Sequence, residues 1–362
     1  IEQDRTNDFI NTFLAKYDEG GIMPIWDLSA CYTGCMIGYH AVPVIADAYL
    51  KGIKNYDTEK ALQAMIHSAT RDKLGLESYK NYGFIPVEKE SESVSKTLEY
   101  AYDDWAIAQM AKAMNKEKVY KTYSERAQYY KNVFDPSSQF MRGRFRNTWF
   151  APFDPYEVNF NYTEANSWQY SFYVLQDISG FMDLLGGKDK LEENLDELFT
   201  AEAETSGRDQ ADITGLIGQY AHGNEPSHHM AYLYNYTHSP DKTQLYVDRI
   251  LKEMYTNAPD GLSGNEDCGQ MSAWYVLNAL GIYQLAPGNT ELLIGRPIVD
   301  KASIKTIDGW FEIEVINNSQ SNKYLEKVLL DGSALPDQRF DYSDIRSGRK
   351  LTIYMSDQQQ GI

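Results

Sequence analysis

Two periodicities divide the chain. Up to about residue 283, apolar residues recur at helical spacing. Phe9, Ile10, Phe13, Leu14 and Tyr17 share one stripe, and Leu98, Tyr102, Trp105, Ala106 and Met110 share another. The same reading predicts helices over 40–51, 57–71, 118–133, 164–176, 188–199, 210–220, 227–237, 240–256 and 269–282, about eleven with the two stripes included. Loops rich in Gly, Pro, Asn and Asp join them. Past Pro287 the period falls to two. Trp310–Ile316 and Leu351–Met355 alternate like half-buried strands, and Asp331-Gly332 has the make-up of a hairpin turn. The expected fold is mainly α: a helical body over 1–286 followed by a small antiparallel β region over 287–362. A closed toroid of paired helices needs about twelve. A shortfall of one, with the first helix starting almost at residue 1, predicts an incomplete toroid whose N-terminal helices are missing.

Composition narrows the function. The 362 residues include 34 Lys+Arg and 52 Asp+Glu, a net charge of −18, which repels phosphate backbones and anionic membranes and argues against a nucleic-acid partner. No apolar run approaches the roughly 18 residues of a membrane span, and no basic-then-apolar signal segment opens the chain. Tyrosine is abundant, at 28 residues beside 6 Trp and 14 Phe, which suits either sugar stacking or core packing. Cys31, Cys35 and Cys268 are an odd number at spacings wrong for zinc, so buried free thiols are expected.

Three segments concentrate chemistry. His222-Gly223-Asn224-Glu225-Pro226-Ser227-His228-His229 reads as a loop feeding a helix start, with Pro226 in the first turn. Asn224 and Glu225 offer hard oxygen ligands for Ca²⁺, and His228 and His229 offer hydrogen bonds to substrate hydroxyls. Zinc is disfavoured because adjacent histidines face apart on a helix. The second segment, Gly264–Trp274, brackets Asn265, Glu266 and Asp267 between glycines, although acidic residues also favour a helix N-terminus on their own. The third, Tyr162–Tyr170, holds Glu164 with Trp168 and Gln169 as candidate substrate contacts, and Thr163-Glu164 is also an ordinary helix start. Each has a bland explanation alone. Together they are acidic loops beside aromatics, and two carboxyl groups facing across a pocket are the machinery of glycoside hydrolysis.

The runs HGNEPSHHMAYLYNY, GNEDCGQMSAWYVLNALGIY, YTEANSWQY and TGCMIGYHAVPVIADAYLKG, in this order of motifs, resemble glycoside hydrolase family 92, the calcium-dependent exo-α-mannosidases common in gut Bacteroidetes. The likeness runs the length of the chain. It implies an (α/α)6 barrel preceded by an N-terminal β-sandwich, and inverting hydrolysis of terminal α-linked mannose. By motif, Glu164 is similar to the family's general acid and Asp267 to its general base, with Asn265 where some members carry a second Asp. Asn224, Glu225 and Asp267 fall in the Ca²⁺-proximal segments, and His222 where the leaving-group sugar is contacted. Gly223 stands where some α-1,2-cleaving members have an acidic residue, which counts against that linkage. Burial beside Trp168 is expected to keep Glu164 protonated. The resemblance further implies a mannose-containing oligosaccharide substrate and a periplasmic, secreted or cell-surface location. Members are about twice this length, which leaves open an inactive fragment of a longer enzyme. Two other classes compete: a non-catalytic carbohydrate-binding protein on the same fold, and a zinc hydrolase using His228 and His229.

Overall fold

The computed structural model describes residues 2–359. Helices α1 (Gln3–Gly20), α2 (Ala41–Leu50), α3 (Thr58–Thr70), α4 (Leu76–Tyr82), α5 (Ser93–Ala113) and α6 (Glu117–Arg126) come first. After a loop-rich stretch follow α7 (Ser167–Ser171), α8 (Ile178–Leu185), α9 (Lys188–Thr200), α10 (Asp241–Glu253) and α11 (Gln270–Ala279). The helix-rich body with small sheets matches expectation, but three predicted helices change character. The segment 164–176 is helical only over the five residues of α7. The segment 210–220 is a loop closed by a hairpin between Leu216–Ile217 and Tyr220–Ala221, because Gly215 and Gly218 turn the chain through φ of +63° and +61°. Met230–Tyr236 winds as a 3₁₀ helix. Conversely α4 and α8, at 7 and 8 residues, are too short to declare a period.

The C-terminal sheet runs in the order Lys301–Lys305, Trp310–Ile316, Lys350–Ser356, Tyr324–Leu330, Ser333–Ala334. Phe311, Ile313 and Val315 point inward, as the alternation predicted. Asp331 (φ 47°) and Gly332 (φ 80°) form the expected turn, pairing Leu330 with Ser333. The region is not wholly antiparallel, however. Trp310–Ile316 and Lys350–Ser356 pair in parallel, from Glu312 opposite Lys350 to Ile316 opposite Tyr354. The long connection between them, which carries the hairpin and the short helix α12 (Tyr342–Arg346), permits that crossover. A second sheet of Arg339–Asp341, Glu291–Ile294 and Ile282–Tyr283 begins before Pro287.

Tyrosine is mostly core. Eight of the twelve largest fully buried side chains are tyrosines, so their hydroxyls need partners. They find them: Tyr100 on the Leu74 carbonyl (2.7 Å), Tyr162 on the Met141 carbonyl (2.8 Å), Tyr170 on Glu99 (2.7 Å), Tyr232 on Asn278 (2.6 Å) and Tyr234 on Asp196 (2.8 Å). The cysteines were expected inside, yet all three lie exposed, Cys31 in a two-residue strand and Cys35 and Cys268 in loops.

Helix α5 is the hub, buried on nearly every side and packed on α2, α3 and α6. It therefore carries charge into the interior. Asp104 accepts from Arg126 Nε (2.7 Å), Tyr39 (2.8 Å) and Tyr79 (3.2 Å). Burial lifts its carboxyl to a pKa of about 6, with Arg126 holding it down. One turn away, His40 bridges Asp103 (2.8 Å) and Glu99 (3.0 Å). Replacing Arg126 by Met leaves Asp104 without its cation in a dry site. A loss of about 3–5 kcal/mol, or a melting temperature roughly 10 °C lower, is expected in thermal unfolding. An unchanged midpoint would show that the pair does not anchor this helix.

Candidate active site

Glu164 is placed by restraints on either side. The Thr163 amide donates to Ser95 Oγ on α5 (2.9 Å). Asn166 caps α7, exchanging hydrogen bonds with Gln169. Asn166, and not Thr163, thus begins the helix, and Glu164 sits in the preceding turn at φ 53°. Its Oε2 accepts from Asn224 Nδ2 at 3.2 Å.

Asn224 also caps the 3₁₀ turn Glu225–Ser227, accepting from the Glu225 amide at 3.2 Å, with Pro226 buried in that turn. Gly223 has a packing reason: a Cβ there would collide with Thr214 Oγ1, and the Gly223 carbonyl lies 2.6 Å from where a Cβ of Gly264 would stand. The two glycines let the 222–229 and 264–270 loops touch. In the latter, Asp267, Cys268 and Gly269 take φ of 51°, 56° and 102° in succession. Glu266 supports this turn, accepting from the Gly269 amide, the Ser272 amide (3.2 Å) and Ser272 Oγ (2.7 Å). Those bonds hold Glu266 below the usual carboxylate range. Glu266 is a cap; Asp267 is turned out to solvent.

The loops gather like charges. Burial raises Glu164, and Asp212, Glu92 and Asp267 raise it further, against the Asn224 hydrogen bond. Crowding by protein around its carboxyl lifts Glu225 to about 7, opposed by a backbone N–H and reinforced by the charge of Asp267 and a hydrogen bond shared with it. Glu164, Glu225 and Asp267 therefore lie within electrostatic reach of one another, with Asn224 hydrogen-bonded to the first and next to the second in sequence. Asn265 is exposed and donates to Asp212 at 3.3 Å.

Among the described residues, no three His, Cys, Asp or Glu side chains form a ready metal cluster. The donor chemistry nevertheless suits calcium: Glu225 and Asp267 offer carboxylate oxygens within electrostatic reach of each other, and Asn224 adds an amide oxygen with a second lone pair.

Several anticipated contacts are corrected. His222 is fully buried, its nitrogens engaged by Tyr220 (2.8 Å) and Tyr255 (2.7 Å). Burial, then His228, push it far below the usual histidine range. His228 bonds the His222 carbonyl (2.8 Å) and Gln270 (2.9 Å), and His229 bonds the Phe172 carbonyl (2.7 Å). In this structure the three rings are buried and hydrogen-bonded to protein partners, and both nitrogens of His222 and of His228 are so engaged. Trp168 packs on Phe140 and Tyr156, and Gln169 belongs to the α7 cap, both buried. Glu164 owes its raised pKa to its own burial and to Asp212, not to Trp168. The cavity beside Trp168, lined by Phe140, Phe172, Phe181 and Glu197, contains none of the three carboxylates. Glu92 and Asp212 were missed. Asp212 lay in a segment read as helix, although Gly215 and Gly218 were visible breakers.

Comparison with known proteins identifies the family. The family model described as the glycosyl hydrolase family 92 catalytic domain matches residues 1–357. A family GH92 α-mannosidase from Bacteroides thetaiotaomicron, solved in complex with mannoimidazole, is 41% identical with a TM-score of 0.94 over 99% of this chain and 49% of its own. A family GH92 inverting mannosidase from the same organism is 32% identical, with a TM-score of 0.89 over 98% of this chain and 50% of its own. An uncharacterized secreted glycosidase of Arthroderma benhamiae is 26% identical over 90% of this chain and 46% of its own length. The chain thus spans about half the length of these relatives, and it belongs to glycosyl hydrolase family 92.

Proposed function

We propose that the protein removes terminal α-linked mannose from glycans with inversion at the anomeric carbon. The observation that carries this is the meeting of Glu164 and Asp267, from loops far apart in sequence, around Asn224 and Glu225. Glu164, raised by burial and acidic neighbours, keeps its proton and gives it to the glycosidic oxygen as the C1–O bond breaks. Solvent-facing Asp267 takes a proton from the water whose oxygen bonds to C1 on the opposite face. Inversion requires roughly 6.5–9.5 Å between the two carboxyl groups, room for that water. Asn224 orients the acid from one side. Asn224, Glu225 and Asp267 would hold calcium, which when bound supplies a hard cation for vicinal sugar hydroxyls. The helices of 1–286 would form part of an (α/α)6 toroid with these loops at one end. Secretion or a periplasmic location would suit a glycan substrate; no described helix is long and apolar enough to cross a membrane.

Three outcomes test the roles. Glu164→Gln lowers kcat/KM on a mannobiose by about 10²–10⁴ but spares a substrate with an activated leaving group, which needs no proton. Asp267→Asn impairs both substrates. Equal, small losses in the two variants sink the assignment, and calorimetric binding of mannobiose without mannose release replaces it with a binding function. For the metal, chelation lowers the melting temperature and calcium restores it, by about 2.7 kcal/mol at a hundredfold excess over Kd; Glu225→Gln abolishes that shift. A midpoint indifferent to chelator and calcium removes the metal from the site.

A further inference from the structure

Phe160 has no packing reason to be aromatic: it is 68% exposed, four residues before Glu164. Its carbonyl accepts from the Glu92 amide at 2.6 Å, which ties it to the start of α5, and the Glu92 charge acts on Glu164. The Arg208 guanidinium covers one face of the ring, 4.6 Å from its centroid. A short parallel ladder, Glu157–Val158 against Ser206–Gly207, brings the two together, continued by the Arg208 amide on the Val158 carbonyl at 3.1 Å. Gly207, at φ 87°, allows this approach, since a Cβ would stand 2.6 Å from the Val158 carbonyl oxygen. The register then repeats itself in function. Four residues beyond Phe160 lies Glu164, and four beyond Arg208 lies Asp212, the strongest charge acting on Glu164.

Arg208 makes no ion pair among the described residues, and its Nε is buried without a hydrogen-bond partner. The contact its guanidinium does make is with the Phe160 ring. A phenyl ring held flat by a cation on one face offers the other face to a sugar's C–H surface.

We infer that Phe160, backed by Arg208, is the platform on which the leaving-group sugar stacks. This rests on the reading of Glu164 as the acid, because the acid must stand at the oxygen joining the two sugars. The partner is thus a second pyranose ring, and the platform acts on binding more than on bond breaking.

The test compares two substrates of the full-length enzyme: a mannobiose, and α-mannosyl fluoride, which has the same terminal sugar but no second ring. Phe160→Ala is expected to lower the ratio of kcat/KM for mannobiose over the fluoride about tenfold, mainly through the KM for mannobiose. Phe160→Trp restores the ratio, and Arg208→Gln lowers it in part. An unchanged ratio, or failure of tryptophan to restore it, overturns the platform. Equal losses on both substrates also overturn it, since a merely structural ring would give that result. If the unsubstituted enzyme turns over neither substrate, the reading of Glu164 and Asp267 fails, and the platform with it.

Discussion

Carboxylates repel, and holding several around one small volume is the constraint to which the rest of this structure answers. Asp212, Glu92 and Asp267 act on Glu164, and Asp267 and Glu164 act on Glu225, with Asn224 as the neutral donor among them. Among the described residues, no lysine or arginine forms an ion pair with Glu164 or Glu225. Their positions are instead imposed by backbone anchors: Ser95 on the Thr163 amide, the Asn166–Gln169 cap, and the Glu266 cap of α11. Repulsion left uncompensated in this way raises proton affinity, which an acid catalyst requires, and favours a divalent cation, which the proposed mechanism also uses.

Anchors of that kind need a rigid body beneath them, and α5 supplies it. The helix is buried on nearly all sides, so its own polar residues must be satisfied in place. Lys96 pairs with Glu90 (2.8 Å), His40 with Glu99 and Asp103, and Arg126 with Asp104. Glu92, Lys96, Glu99 and Asp103 recur at helical spacing along one face, so the helix that braces the loops of the candidate site also places charge beside them. Tyr173 joins the two ends, feeling Glu99 and Asp103 on one side and Glu225 on the other.

Which parts were legible in the sequence follows from which signals are local. Long helices such as α1, α5 and α10 declare themselves because one stripe repeats over three or more turns. Turn chemistry at Asp331-Gly332 is local too. The parallel pairing of Trp310–Ile316 with Lys350–Ser356 is not, since alternation is the same in either direction. At the candidate site, Glu164, Glu225 and Asp267 were singled out through motif likeness. The role of the histidines was misread because burial is a property of the whole fold: His222 looks available until Tyr220 and Tyr255 close on it. Asp212 was hidden by an averaged helical period that ignored two glycines.

The backbone adds an argument no residue string contains. Glu92, Glu164 and Asp267 all adopt positive φ, a conformation that costs a non-glycine residue about 1–2 kcal/mol. Glycine relieves that cost, and the same loops use it where no side chain is needed, at Gly264 (φ 77°) and Gly269 (φ 102°). A fold that selects glycine at 264 and 269 but keeps carboxylates at 164 and 267 accepts strain in exchange for what the side chain does. Helical backbone would remove the strain but would turn each carboxylate along a helix face, away from the meeting point of the loops. Left-handed turns instead present the two groups from separate loops, Glu164 half-buried and Asp267 open to solvent, and that placement ties the strain to the proposed chemistry.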